Sequence, residues 1–186
     1  MENEKHSIQT YVSDMLALER HISKPFATQA ADSDFEKYGS AASLVKRLSA
    51  LSDEHIAALE RALDSLGGHA ASPVKEAISQ AEGFVASAID LMRKTKVSKA
   101  LRDDYTALAL CASGYTLLQT TALALSNAEV ASLAQRHLHD YAQCVVQVGE
   151  ALPAVVIAEL QDIGLSVNAA VIEQARNAVE QAWRTT

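Results

Sequence analysis

The sequence predicts an all-α fold, an antiparallel bundle of four long helices with an extra crossing helix and a helical C-terminal tail. Apolar residues recur at 3–4 spacing along most of the chain, the period of one helix face. The composition is 49% hydrophobic but only 5% aromatic, and its lead in Ala and Leu favours close helix packing over a sheet. Gly, Pro and capping residues fall where the periodicity breaks. With 186 residues the chain suits a single domain, 1–186, with the bundle at about 7–150 and a helical extension at about 153–184. That size supports a core without disulfides or a structural metal.

The first helix is expected over about 7–31, with Val12, Met15, Leu16, Glu19, Ile22 and Phe26 on one stripe. Pro25 should kink or split it, and Asp32-Ser33-Asp34 makes a turn and a cap. The second, about 36–66, carries Leu44, Leu48, Leu51, His55, Leu59, Leu63 and Leu66. Gly67-Gly68 ends it by supplying a residue free to take positive φ. Ser72-Pro73 then opens a crossing helix near 73–94, with its stripe at Val74, Ile78, Val85, Ile89 and Met92.

Ser98 caps the third bundle helix, about 99–125, whose stripe runs through Leu101, Tyr105, Leu108, Cys111, Tyr115 and Leu118. Ser126-Asn127-Ala128-Glu129 reads as a capping box. It starts the fourth bundle helix, about 128–150, which carries Val130, Leu133, His137, Tyr141, Cys144 and Val148 and ends at Gly149 and Pro153. The tail should break at Gly164, with a last stripe at Ile172, Ala175, Val179 and Trp183. That stripe needs a cover, from the bundle or from a second subunit, so a homodimer is expected.

Charge excludes some partners. The net charge is −7, and residues 103–186 hold 3 basic against 9 acidic groups, which argues against a nucleic-acid partner. The basic cluster Arg93, Lys94, Lys96, Lys99 and Arg102 straddles an interhelix turn and reads as a solvated loop that complements a helix terminus. Cys111 and Cys144 lie in apolar helical stretches and give no disulfide framework. Met1–His6 leads into a polar helix start rather than a signal peptide. Leu108–Leu125 is interrupted by Ser113, Gly114, Gln119 and three threonines, which falls short of a membrane span. The expected location is the cytoplasm.

Polar residues on the inner stripes carry the functional signal. Glu19 sits between Leu16 and Ile22. It is either an edge residue held by Arg20 or by a basic group of another helix, or a buried carboxylate that needs a partner, a proton or a cation. His55 has Leu51 and Leu59 one turn to either side, which places it inward as a hydrogen-bonded core residue or as a ligand. His137 and Asp140 are three apart and share a face while His139 points elsewhere. The pair can chelate a metal or be structural, and Tyr115 and Tyr141 can hydrogen-bond the same groups. His6, His21 and His69 read as surface or loop residues. The sequence has no Gly-x-Gly-x-x-Gly, Walker loop or Cys-x-x-Cys, and nothing points to a Ser-His-Asp arrangement.

Several strings carry a resemblance: Asp14-Met15-Leu16-Ala17-Leu18-Glu19, Glu54-His55-Ile56-Ala57-Ala58-Leu59 followed by Leu66-Gly67, Asp103-Asp104-Tyr105 with Tyr115 and Ala122 beyond, and Leu133 to Tyr141. With the order of helices, they make the chain resemble the YciE/YciF-type branch of the ferritin-like superfamily over about 8–150. The resemblance implies a Glu from the first bundle helix, Glu-x-x-His from the second, a Glu from the third and Glu-x-x-His from the fourth, together holding two irons. Glu19 and His55 match. The remaining positions fall at Ser52, at or near Cys111, and at Ala134 with His137 matching its His. No Glu or Asp in the chain is followed three residues later by His.

Two irons need bridging carboxylates, so the di-iron site is expected to be lost. The resemblance then implies a non-catalytic, stress-associated bacterial bundle without a cofactor, acting by binding or assembly. The alternative is a mononuclear metal protein or enzyme with one divalent ion on Glu19, His55, His137 and Asp140. A third reading places an apolar ligand in the interior beside Cys111.

Overall fold

The computed structural model describes residues 2–68 and 96–184, and over these residues the protein is all helical. The order is α1 (Glu2–Ala30), α2 (Ser33–Glu36), α3 (Gly39–Ser65), α4 (Val97–Ala124), α5 (Ala128–Asp162) and α6 (Val171–Arg184). The expected crossing helix near 73–94, its stripe, His69, Arg93 and Lys94 lie outside the described residues.

Helix α1 begins earlier than the periodicity suggested. Glu2 and Glu4 sit in its first turn, where carboxylates complement the helix dipole. Ser7 and Thr10 turn their hydroxyls back onto the carbonyls four residues before them, so Ser7 is interior to the helix. The helix also continues through Pro25 to Ala30. Asp32 caps α2 by accepting from the Asp34 amide at 2.8 Å. Gly67 takes φ 69° as expected after α3, and Gln9 of α1 donates to the Leu66 carbonyl there.

The cap of α5 is one residue later than the capping-box reading placed it. Asn127, not Ser126, accepts from the Val130 amide at 3.0 Å, and Ser126 is the left-handed residue of the turn, with φ 57°. Helix α5 also runs past Gly149 and Pro153 to Asp162. Its last turns are held by tertiary contacts: Val155 is buried, Tyr38 donates to Asp162 at 2.8 Å, and Glu159 reaches α4. Glu159 accepts from the Ser98 amide at 2.9 Å and from the Ser98 hydroxyl at 2.6 Å. The start of α4 is therefore capped by a side chain of α5, and Ser98 is the donor rather than the cap.

Helices α1, α3, α5 and α4 pack in that cyclic order around one core. Each neighbouring pair is antiparallel. Gln9 meets Leu66 while Glu19 meets His55, Gln29 meets Asp104 while Glu19 meets Tyr115, and Arg47 meets Gln147 while His55 meets Asp140. Helices α4 and α5 reverse direction at the turn around Ser126. The two diagonal pairs, α1 with α5 and α3 with α4, thus run parallel. Gly114 allows α1 close to α4, because a Cβ there would meet the Met15 sulfur at 2.5 Å. By length and composition α4 and α5 are each long and apolar enough to cross a membrane, a test that core helices also pass. Their buried stripes line the shared core.

Helix α6 follows a break at Gly164 (φ 81°) and lies against α5. Val179 approaches Gly149, and Arg176 donates to the Glu150 carbonyl at 3.0 Å. The stripe at Ile172, Ala175 and Val179 is only half covered, and Trp183 is 61% exposed.

Candidate functional site

All four long helices contribute to one buried polar cluster. Glu19 comes from α1, His55 from α3, Tyr115 from α4, and His137, Asp140 and Tyr141 from α5. Glu19, His55, Tyr115, His137 and Tyr141 sit on the stripes that their helices turn inward, so apolar periodicity places them at the centre, while Asp140 lies at the margin with its side chain 33% exposed. Glu19, Tyr115 and Tyr141 are fully buried, and His55 and His137 nearly so. The edge reading of Glu19 is overturned; Arg20 instead pairs with Glu60 at 2.7 Å on the surface.

Both oxygens of Glu19 are occupied. Tyr115 donates to Oε1 at 2.5 Å and Tyr141 to Oε2 at 2.6 Å, while His55 Nδ1 lies 3.1 Å from Oε1. A buried carboxylate is tolerable when it is paired and hydrogen-bonded in this way. The other ring nitrogen of His55, Nε2, faces Asp140 Oδ2 at 3.3 Å. The imidazole thus lies between two carboxylates from different helices.

The His137 ring stacks on that of His55 with centroids 3.7 Å apart and planes 11° from parallel. Burial, then the neighbouring His55 and Arg136, push its pKa down to about 3, which keeps it neutral. Its Nδ1 lies 3.0 Å from the Tyr115 hydroxyl. Since that hydroxyl gives its own proton to Glu19, His137 is the donor in this contact.

The arrangement is closed rather than reactive. Burial and the Glu19 charge drive the Tyr115 and Tyr141 hydroxyls far above their ordinary value, and burial first, then Glu19, does the same to the Cys111 thiol. All three stay protonated. None of three surface cavities is lined by Glu19, His55, Tyr115, His137 or Tyr141. Cys111 is fully buried within packed core.

The residues proposed for a metal gather, but not around a point. Glu19 and Asp140 approach opposite nitrogens of His55, and both Glu19 oxygens already accept phenol protons. As arranged, Glu19, His55, His137 and Asp140 do not fit one ion. Among the described residues no group of three or more His, Cys, Asp or Glu side chains forms a metal-holding set. At the positions that the family resemblance assigns to further ligands, Ser52 is buried with its hydroxyl on the Ser49 carbonyl, and Cys111 and Ala134 are buried within the core. His139 points outward and bonds Gln143. His6 is exposed, whereas His21 is half-buried.

Sequence reading missed a second buried polar pair. Gln29 donates to Asp104 Oδ1 at 2.9 Å, while Asp104 Oδ2 is buried without a hydrogen-bond partner among the described residues. Burial raises the Asp104 pKa to about 7 against the opposing effect of Gln29, with Asp103 adding to the rise. The available signal was spacing: Asp104 lies three residues after Leu101 and four before Leu108. Tyr105, assigned to that stripe, is half-buried.

Neither a protein-family model nor a curated protein matches the chain. The structure is similar to a crystal structure of a protein from Xanthomonas campestris pv. campestris, with a TM-score of 0.72 and 18% identity. The match covers 88% of this chain and 99% of that one. At that identity the likeness shows a shared fold.

Proposed function

We propose that the chain is a ferritin-like bundle of the YciE/YciF type that has lost di-iron chemistry and acts by binding or assembly. The observation that carries the reading is the state of Glu19: both oxygens are taken up by the tyrosines of α4 and α5. Two irons require bridging carboxylates from several helices, and Ser52, Cys111 and Ala134 supply none. Helices α3 and α4 follow one another among the described residues yet lie on a diagonal and run parallel, which supports a topology with one long crossover, as in ferritin-like folds. A non-catalytic role of bacterial stress-protein type rests on the resemblance alone, and a cytoplasmic location is part of the same proposal.

Assembly as a homodimer belongs to the same proposal. The apolar surface available for it differs from the one expected, because most of the α6 stripe turns toward α5. Leu110 and Leu117, seven residues apart on one face of α4, are 46% and 59% exposed.

The test is metal and oxygen stoichiometry. Purified protein given ferrous iron should bind fewer than two irons per chain and consume no oxygen above buffer. Ser52→Glu should not create activity, because the α4 and α5 carboxylates remain absent. Two irons per chain with oxygen uptake would overturn the proposal. The mononuclear alternative draws support from the gathering of Glu19, His55, His137 and Asp140. It requires His55 to leave one carboxylate, and one tightly bound ion per chain, abolished by His137→Ala, would establish it.

A further inference from the structure

The two faces of α6 border different surfaces. On one side the groove toward α3 and α5 carries mixed charge from Arg47, Glu150, Glu173 and Arg176. On the other, α6 and the α4–α5 face enclose an open groove of about 780 Å3, within the size range of small-molecule sites, about 300–1,000 Å3. Tyr105, Leu152, Val156, Ile172, Val179 and Trp183 supply much of its wall. No network residue lines it, so it stands apart from whatever the bundle centre does.

Charge complementarity selects the occupant. In a chain of net charge −7 the lining of this groove, among the described residues, contains Lys99 and Arg102 and no carboxylate. Arg102 is paired, since its Nε and Nη2 both donate to Asp103 Oδ1, at 2.8 and 2.7 Å. Lys99 has no ion pair among the described residues. The site therefore offers roughly one uncompensated positive charge at the edge of an apolar trough. That suits a single carboxylate on a hydrocarbon chain better than a dianionic phosphate. A membrane surface fits less well, because the exposed positions of α6 include Glu173, Gln174, Asn177, Glu180 and Gln181 rather than the Lys and Arg of interfacial helices.

We propose that this groove binds one long-chain monocarboxylate, its hydrocarbon chain between α6 and the α4–α5 face and its carboxylate at Lys99 and Arg102. The half-covered α6 can shift to admit the chain, as elements with few buried contacts do.

Trp183, the only tryptophan, lines the groove and reports on it. Palmitate, kept below its micellar concentration, is titrated into the full chain while Trp183 emission is followed. The expected result is a saturable blue shift at one equivalent, with quenching by dibromostearate. Hexadecanol should bind more weakly, and Lys99→Glu should weaken palmitate about five- to tenfold. Lys99 is exposed, so the variant should keep the wild-type circular dichroism, and Arg102→Gln gives a second, independent loss. A flat signal up to about 100 µM, a weak-binding ceiling, overturns the proposal. So does equal binding of alcohol and acid, a shift produced only by phosphatidylglycerol vesicles, or a ligand-free blue shift that rises with protein concentration and marks a second copy in the groove.

Discussion

Replacing Tyr141 and Tyr115 separately by Phe weighs the central network one bond at a time. Tyr141→Phe keeps the ring packed and removes one hydroxyl, which donates to Glu19 Oε2 at 2.6 Å. A hydrogen bond to a charged group contributes about 1.5–3 kcal/mol, so the loss should be about 2 kcal/mol. Tyr115→Phe removes the donor to Oε1 and also the oxygen that His137 Nδ1 faces at 3.0 Å. A buried donor left unsatisfied costs about 1–3 kcal/mol more, which brings the total to about 3–5 kcal/mol. For a chain of this size 1 kcal/mol shifts Tm by about 2–4 °C. The expected decreases are therefore about 4–8 °C for Tyr141→Phe and about 6–20 °C for Tyr115→Phe. Urea unfolding followed by circular dichroism at pH 7 measures both, provided the m-values match. Combining Tyr141→Phe with Glu19→Gln should be non-additive by at least ~1 kcal/mol. Equal losses in the two tyrosine variants, or a Tyr141→Phe loss below ~0.5 kcal/mol, would refute the assignment of these bonds.

Asp104 should make stability fall as pH rises. Its folded pKa of about 7 lies above the ordinary 3.8, so between those values the native state holds a proton that the unfolded state has lost. The destabilisation is absent below about pH 4 and complete above about pH 7. Asp104→Asn should leave stability at pH 4 unchanged and raise it at pH 8, by at most ~4 kcal/mol at ~1.4 kcal/mol per pH unit; chemical denaturation at the two pH values checks the sign. Glu159→Ala should remove both bonds to Ser98 and cost about 1–3 kcal/mol. Amide exchange at Ser98 should accelerate along with that loss, a local effect that a change in global packing alone would not single out.

Apolar spacing made most of the fold legible, because it acts within one helix and needs no knowledge of its neighbours. The stripes through Val12, Leu48, Leu108 and Tyr141 face the core as their periodicity requires, and the same logic carried His55 and His137 inward. Features between helices were not legible. Glu159 and Ser98 are 61 residues apart, and nothing local to either announces that one caps the other. For the same reason α5 outruns Pro153. A proline costs the helix a hydrogen bond, but contacts of Val155, Glu159 and Asp162 with other elements offset that cost. At the site, Tyr115 and Tyr141 were visible as partners of the polar stripe. That they occupy both oxygens of Glu19, and so displace the ligand geometry expected of the resemblance, depends on packing that spacing does not encode.

The network also bears on how long the folded chain survives. Helices α1 and α3 form one hairpin, α4 and α5 another, and the tyrosine bonds to Glu19 join the two across 96 and 122 residues of sequence. Neither hairpin can make those bonds by itself, so they form only as the halves close on each other, late on the folding route. Interactions that arise after the transition state set the rate of opening rather than of closing. Losing about 2 kcal/mol at Tyr141 should then leave the refolding rate nearly unchanged and speed unfolding about 30-fold. The carboxylate of Glu19 acts as a latch, and its two tyrosines set the lifetime of the closed bundle.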